Sequence, residues 1–174
     1  MKNYKILIIA LSLISVVSLI IYIQITGFYI LSPSSKIFGS TLEIRINIFN
    51  ASDVAGAQLS LLYNKSIVKF VKVVNGSFLN QNGATVYIFN ESLDTSTPGL
   101  VKDVIMVRVT NPLTGASGQG VLAIFTFNIL KSGTSYFNVQ DFVLSDSTGA
   151  IIPGSANKYS ITISTTKKKT TRNQ

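Results

Sequence analysis

Short strand-like runs rich in apolar residues recur along most of this chain, and in 41–50 and 158–164 apolar and polar residues alternate. In the run Thr41–Asn50, the side chains of Leu42, Ile44, Ile46 and Ile48 would share one face of an extended strand, and polar residues would take the other. Turn-forming Gly, Pro, Asn and Asp separate nine such runs, and none has a helical period. The runs are 28–34, 41–50, 56–63, 68–74, 85–89, 101–110, 120–130, 135–144 and 158–164. This pattern predicts an all-β fold, a nine-stranded β-sandwich of the jelly-roll type.

A different pattern precedes these strands. The segment Ile6–Ile23 contains 18 residues without a charge, and Lys2 and Lys5 come before it. This length suits a membrane-spanning helix, and the flanking lysines favour a cytoplasmic N-terminus. We therefore expect a cytoplasmic basic stub at residues 1–5, a transmembrane or signal-anchor helix at residues 6–26, and a single-pass protein whose C-terminal domain lies outside the cell. The alternative is a cleaved signal peptide and a secreted domain.

The net charge of +8 is concentrated outside the predicted sandwich. Six of the basic residues lie before Ile6 or after Ser164, whereas residues 36–164 carry nine basic and seven acidic residues. No basic patch interleaved with aromatic residues stands out in the body, so a nucleic-acid partner is not expected. Residues 165–174 are polar and basic, and we expect them to form a flexible tail.

The composition also bears on chemistry. The chain has no Cys and no His, which removes disulfides, thiolate nucleophiles, the commonest general base and the commonest zinc ligand. Asp141 and Asp146 lack the spacing of a calcium loop and are interpreted as turn residues. We expect no enzyme activity, no metal site and no cofactor.

Three stretches carry a resemblance to a known family. Val54–Tyr63 is an alternating strand that ends in Tyr, Val68–Leu79 is a strand with a Gly-containing exit, and Gly120–Leu130 is followed by Phe142–Gly149. In this order they resemble the cohesin domain, a nine-stranded jelly-roll module of bacterial and archaeal surface proteins that binds dockerins. The resemblance spans residues 28–164. It implies a non-catalytic binding module with a protein partner, dockerin-like or another surface protein.

The chain departs from the family pattern at two places. Asn64 and Lys65 follow Tyr63, where family members usually have Asp-Pro. Gly56 and Gln58 occupy positions where dockerin-binding members often place Asn and Asp. These differences bear on the identity of the partner more than on the fold.

A candidate binding face follows from alternation along two predicted strands. On the strand 101–110, the even-numbered residues include two basic side chains, so we expect this set to face water. If the neighbouring strand is 56–63, both strands together would present an apolar patch with a polar rim, which suits protein binding. The predicted partner-binding residues are Gln58, Ser60, Leu62, Val104, Met106 and Arg108. The alternative is that the apolar members are packed beneath a loop or scattered singly. Ile46 and Phe127 are predicted to be buried on facing sheets.

Four N-x-Ser sequons occur, at Asn50, Asn64, Asn75 and Asn90. In an exported chain these are candidate glycosylation sites.

The leading functional hypothesis is an extracellular binding or scaffolding module that presents a rigid sheet face to a protein. A carbohydrate-binding module for polysaccharide capture or catabolism is the second, although most Tyr and Phe residues are expected to point inward and the chain has no Trp. The third is a structural subunit of a surface filament, in which the alternating stretch Tyr22–Leu31 pairs with a neighbouring sandwich.

Overall fold

The structure, a computed structural model, describes residues 29–94 and 99–164, and within these it leaves the side chains of residues 90–94 undescribed. The described part consists of ten β-strands and one turn of 3₁₀-helix at Gln81–Gly83. The strands are β1 (Tyr29–Phe38), β2 (Thr41–Leu62), β3 (Val68–Asn75), β4 (Thr85–Asp94), β5 (Leu100–Val109), β6 (Ala116–Ile129), β7 (Gly133–Asp146), β8 (Ile151–Ile152), β9 (Gly154–Ala156) and β10 (Tyr159–Ile163). The all-β prediction is confirmed.

The strands form two layers that share one long strand. The front sheet has the order β4-β5-β2-β7-β10, and β8 also pairs with β7. The back sheet has the order β3-β6-β2-β1-β9. The first half of β2 belongs to the back sheet and its second half to the front sheet, so this strand connects the two layers.

The number of strands differs from the predicted nine. Two predicted strands, 41–50 and 56–63, are the two halves of β2, and the short strands β8 and β9 were not predicted. The corner between the halves carries Asn50 (φ 57°) and Asp53 (φ 54°) in the left-handed region. Asn and Asp tolerate this conformation better than other side chains, so residues expected to end a strand instead bend it.

The core lies between the sheets. Leu42, Ile44, Ile46 and Ile48 are completely buried, which confirms the predicted face of this segment. Phe127 is also buried, but it lies on β6, which pairs with the first half of β2. The prediction that Ile46 and Phe127 belong to facing sheets is therefore wrong, because both belong to the back sheet.

The two ends of the sandwich are named here by residues of β1. We call the end where β1 begins the Tyr29 end, and the end where β1 meets β2 at the turn after Phe38 the Phe38 end. At the Tyr29 end, Asp53 joins three turns: its carboxylate accepts hydrogen bonds from the Gly115 amide (2.8 Å) and the Ser147 hydroxyl (2.6 Å), and its own amide donates to Ser117 Oγ (2.9 Å). The turns at this end are therefore fixed to one another.

The predicted membrane-spanning segment and the basic tail lie outside the described residues. Within residues 29–94 and 99–164, no helix has the length and apolar character needed to cross a membrane.

Candidate protein-binding face

The outer surface of the front sheet carries a group of exposed apolar side chains. Tyr87 and Phe89 on β4 are 54% and 53% exposed, and Val107 and Val109 on β5 are 38% and 45% exposed. Tyr87 pairs with Val107, and Phe89 pairs with the partly exposed Ile105. Because directly paired residues lie on the same side of a sheet, these side chains form one continuous surface. We call these five residues the front patch.

A β-bulge places the front patch on the outside. Between the pairs Leu59–Val104 and Leu61–Val101, the single residue Ser60 of β2 lies opposite two residues of β5. One of these two is Asp103, which has a φ of 49°. An extra residue reverses the face on which all later side chains of the strand lie.

Four of the six predicted binding residues are therefore buried, and the predicted face is wrong. Val104 and Met106 have no exposed surface, Arg108 is 2% exposed, and Ser60 is also fully buried. The prediction assumed uninterrupted alternation from Val101 onward, and the bulge at Asp103 shifts it by one residue. The odd-numbered residues after Asp103 face solvent instead of the even-numbered ones.

Arg108 has a structural role on the inner side of β5. Its Nε donates to the carbonyl oxygen of Thr114 (2.9 Å), and its Nη1 donates to the carbonyl oxygens of Gln81 (2.8 Å) and Leu79. Hydrogen bonds from a charged donor are about twice as strong as neutral ones, which offsets part of the cost of burying the guanidinium. Arg108 thus joins the 110–114 turn to the segment that precedes β4.

Two other predicted binding residues, Gln58 and Ser60 of β2, contact the bulge residue Asp103. The Ser60 hydroxyl accepts a hydrogen bond from the Asp103 amide (3.2 Å), and Gln58 Nε2 donates to Asp103 Oδ1 (3.3 Å). These bonds hold the bulge in place. Leu62 is half-buried at the Phe38 end of the same surface. It lines a groove of about 470 Å³ together with β7 and β10 residues that include the exposed Tyr136.

A second bulge lies on the opposite side of β2. Between the pairs Gln58–Val143 and Ser60–Gln140, β7 contributes two residues against one, and Asp141 has a φ of 48°. After this bulge, Val143 faces outward and is 40% exposed. The carboxylates of Asp103 and Asp141 therefore lie on strands that flank β2 at nearly the same level. Two strand spacings separate those strands by about 10 Å.

The sequence contains a signal for both bulges. In β5 the apolar residues Val101 and Val104 are separated by the polar pair Lys102-Asp103, and in β7 Val139 and Phe142 are separated by Gln140-Asp141. A polar pair ending in Asp breaks the period of two, and Asp tolerates a positive φ. Reading these pairs as bulges would have identified Val107 and Val143 as outward-facing.

The interpretation of Asp146 as a turn residue agrees with its contacts. Its Oδ1 accepts hydrogen bonds from the Thr148 hydroxyl (2.7 Å), the Thr148 amide (2.8 Å) and the Ala150 amide (2.9 Å). These bonds, with that of the Thr148 hydroxyl first, lower the pKa of the Asp146 carboxyl. In the part of the chain whose side chains are described, no three acidic side chains approach closely enough to hold a metal ion.

The sequons lie in distinct local structures. Asn50 is exposed at the corner of β2, and Asn64 accepts the Ser66 amide (3.0 Å) in a turn at the Phe38 end. Asn75 donates to Asn80 Oδ1 (2.6 Å). The side chain of Asn90 lies outside the described residues. Glycosylation at these four positions stays a prediction.

Solved structures similar to this chain share its fold. A non-cellulosomal cohesin from the hyperthermophilic archaeon Archaeoglobus fulgidus is 18% identical, with a TM-score of 0.59, over 79% of this chain and 92% of that one. The sixth cohesin of Acetivibrio cellulolyticus scaffoldin B, solved in complex with a Cel5 dockerin, is 16% identical, with a TM-score of 0.60, over 79% and 99%. A Clostridium acetobutylicum cohesin is 22% identical, with a TM-score of 0.57, over 79% and 91%.

The sequence comparisons are consistent with these structures. No curated protein matches the chain significantly. The cohesin domain family, in contrast, matches residues 30–163, which is well over half of the chain. This protein therefore belongs to the cohesin domain family, a family of non-catalytic protein-binding modules.

Proposed function

We propose that this protein is an extracellular binding module that presents the outer surface of its front sheet to a protein partner. The observation that carries the proposal is the front patch, which exposes two aromatic and three aliphatic side chains on two paired strands. A contiguous exposed apolar surface with a polar rim is typical of a protein-binding site.

The polar surroundings of the front patch suggest the chemistry of the partner. Asp103 and Asp141 lie on strands that flank β2, and Gln58 lies between them. The Asp103 carboxylate already lies 3.7 Å from Lys102 Nζ, so the exposed Asp141 is the carboxylate that a Lys or Arg of the partner would complement. Opposite charges at a rim increase the association rate and fix the orientation. A dockerin or a dockerin-like surface protein is the partner class that membership in the family favours. One of the similar cohesins was solved with a dockerin bound.

We also propose that the segment Ile6–Ile23 anchors the protein in the cell membrane with the sandwich outside. The support comes from the sequence, which has 18 uncharged residues preceded by Lys2 and Lys5. Cleavage of this segment would instead release a secreted module with the same binding face.

Two Phe residues of nearly equal exposure allow a matched test. Phe89 lies in the front patch and is 53% exposed, whereas Phe38 lies on the back sheet and is 48% exposed. A central aromatic anchor commonly contributes about 2 kcal/mol or more, or roughly 30-fold in affinity. Phe89→Ala should therefore weaken binding of a purified dockerin partner by at least about that factor. Phe38→Ala should leave binding nearly unchanged.

The measurement is a titration of the purified partner against each variant by calorimetry, after circular dichroism has confirmed that both variants fold. Equal losses for Phe89→Ala and Phe38→Ala would mean that the front patch is not the binding site. A larger loss for Phe38→Ala would place the site on the back sheet.

A carbohydrate-binding function is the second candidate, and one observation favours it. Tyr87 and Phe89 are both exposed on the same face of β4, two residues apart, so their rings are about 7 Å apart along the strand. Most of the described Tyr and Phe side chains do point inward, as expected, and Tyr87 and Phe89 are among the exceptions. Exposed rings spaced along a strand can stack on successive sugar rings.

The two candidates respond differently to substitution. Stacking on a polysaccharide needs Tyr87 and Phe89, but it does not need the aliphatic Val107. If the protein is retained on an insoluble polysaccharide and Val107→Ser does not change this retention, the carbohydrate function is favoured. Loss of partner binding in both Phe89→Ala and Val107→Ser favours the protein-binding function.

The filament hypothesis loses part of its basis. Residues 29–31 of the proposed donor stretch already pair with β2 and β9 of the same sandwich, and Tyr29 and Leu31 are buried in its core. The remaining residues of the stretch, 22–28, lie outside the described part of the chain.

A further inference from the structure

We infer that the Tyr29 end of the sandwich rests on the lipid bilayer, with Phe49, Leu113 and Ile151 inserted into the interface between headgroups and acyl chains. The inference depends on the proposed membrane anchor but concerns a different surface from the front patch. Insertion of these side chains would hold the sandwich in a defined orientation, with the Phe38 end directed away from the membrane.

Three exposed apolar side chains are found on the turns of this end. Ile151 is 74% exposed, Leu113 is 50% exposed and Phe49 is 38% exposed. Phe49 pairs with Ile30 at the start of β1, and Ile151 precedes Pro153, whose carbonyl oxygen accepts the Tyr29 amide. Leu113 belongs to the turn whose Gly115 amide is bound by Asp53. All three therefore lie near the point at which the chain enters the sandwich.

The turns that carry these side chains are held by internal hydrogen bonds. Arg108 binds the Thr114 carbonyl oxygen, which fixes the turn next to Leu113. Asp53 binds Ser147, and Asp146 binds Thr148 and Ala150, which fixes the turn next to Ile151. A surface that is already ordered loses little conformational entropy when it meets the membrane.

The distribution of charge indicates an apolar contact. Residues 49–54, 76–84, 110–117 and 146–153, which form the turns of this end, contain no Lys or Arg. The exposed lysines Lys36, Lys65 and Lys131 lie at or near the Phe38 end. An interface driven by anionic lipid would need basic residues on the turns, so the contact is expected to be independent of lipid charge.

The short segment between the proposed anchor and β1 keeps this end of the sandwich close to the membrane. Five residues lie between Ile23, the last residue of the proposed anchor segment, and Tyr29. Even when fully extended, the six residue steps from Ile23 to Tyr29 reach only about 20 Å. The headgroup layer of one leaflet takes up about 5–8 Å of that distance. An anchored sandwich therefore has little room to stand clear of the lipid, and the exposed apolar side chains are on the end that faces it.

The absence of Trp from the chain allows a direct test with single reporters. Ile151→Trp places the reporter at the Tyr29 end. Leu130→Trp is the control, because Leu130 is 55% exposed and lies at the Phe38 end, where its amide donates to Ile67. The full chain is reconstituted into phosphatidylcholine vesicles, with or without brominated acyl chains that quench nearby Trp, and flotation confirms that the protein is bound.

The expected result is a blue-shifted emission from the Trp at position 151 that brominated lipid quenches, and an unshifted, unquenched emission from the Trp at position 130. Adding anionic phosphatidylglycerol should not change either result. If the protein floats with the vesicles but the Trp at position 151 is not quenched, the inference is overturned and the anchor stands. If the protein does not float, both are overturned.

Two further outcomes also overturn the inference. A blue shift that depends on protein concentration and that brominated lipid does not quench would indicate a contact between these turns in two copies of the chain. Quenching that appears only with anionic lipid would mean that charge, and not the apolar side chains, brings this end to the membrane.

Discussion

The buried guanidinium of Arg108 provides a test of how the sandwich is stabilised. Arg108→Met keeps an unbranched apolar stem but removes the donors for Leu79, Gln81 and Thr114. The Leu79 contact is buried, whereas the contacts to Gln81 and Thr114 are only partly buried, so water can replace the donor there. A buried carbonyl left without a donor costs about 1–3 kcal/mol, so we expect a loss of about 1–3 kcal/mol in the free energy of unfolding.

The assay is urea unfolding of the full chain in detergent micelles, followed by circular dichroism. Arg45→Met is the matched control, because Arg45 lies partly exposed on the outer surface of the back sheet, where its Nη2 donates to Glu43 (3.0 Å). A partly exposed ion pair at the surface contributes about 0–1 kcal/mol, so the control should be nearly as stable as the parent. Arg108→Lys should be intermediate, because one ammonium cannot reproduce the directions of a guanidinium.

One result would refute this reasoning. If Arg108→Met unfolds at the same urea concentration as the parent, its backbone hydrogen bonds do not stabilise the Tyr29 end. The 110–114 turn would then be held by other contacts.

Two further tests concern the buried core residues Ile46 and Tyr29. Ile46→Asp places an unpaired carboxylate at a fully buried position and should prevent folding, whereas Arg45→Asp should change the unfolding free energy by less than about 1 kcal/mol; comparable losses would contradict the register of β2. Burial raises the pKa of Tyr29 to about 12, so the unfolded chain loses this proton more readily than the folded protein. The free energy of unfolding should therefore fall as the pH rises from about 10 to about 12. In urea titrations at alkaline pH, Tyr29→Phe should remove this part of the decrease. A pH dependence that Tyr29→Phe leaves unchanged would contradict the assignment of the decrease to Tyr29.

Much of the fold could be predicted because alternation reports burial directly. Leu42, Ile44, Ile46 and Ile48 are buried as their spacing predicts, and so are Leu59, Leu61 and Tyr63. The short strands β8 and β9 could not be predicted, since two or three residues are too few for a period to be recognised. The corner of β2 cannot be distinguished from the end of a strand in the sequence, because Asn and Asp favour turns and left-handed bends alike.

The candidate site was less predictable, because a single inserted residue decides which face is exposed. Regular alternation through Lys102-Asp103 places Met106 in solvent and Val107 in the core. The structure has the reverse, with Met106 fully buried and Val107 38% exposed. The charge of Arg108 is a second reason why the exposed face is predicted incorrectly. Arg108 suggested an exposed face, but backbone carbonyl oxygens satisfy it within the protein.

The most direct test of the binding face is the reactivity of single cysteines on β5, since the chain has no native Cys. Val107→Cys and Met106→Cys are labelled with a maleimide, with and without the purified partner. We expect fast labelling at position 107 that the partner slows, and slow labelling at position 106 in both conditions. Faster labelling at position 106 than at 107 would contradict the bulge at Asp103. Labelling at position 107 that the partner does not slow would contradict the front patch as the binding site.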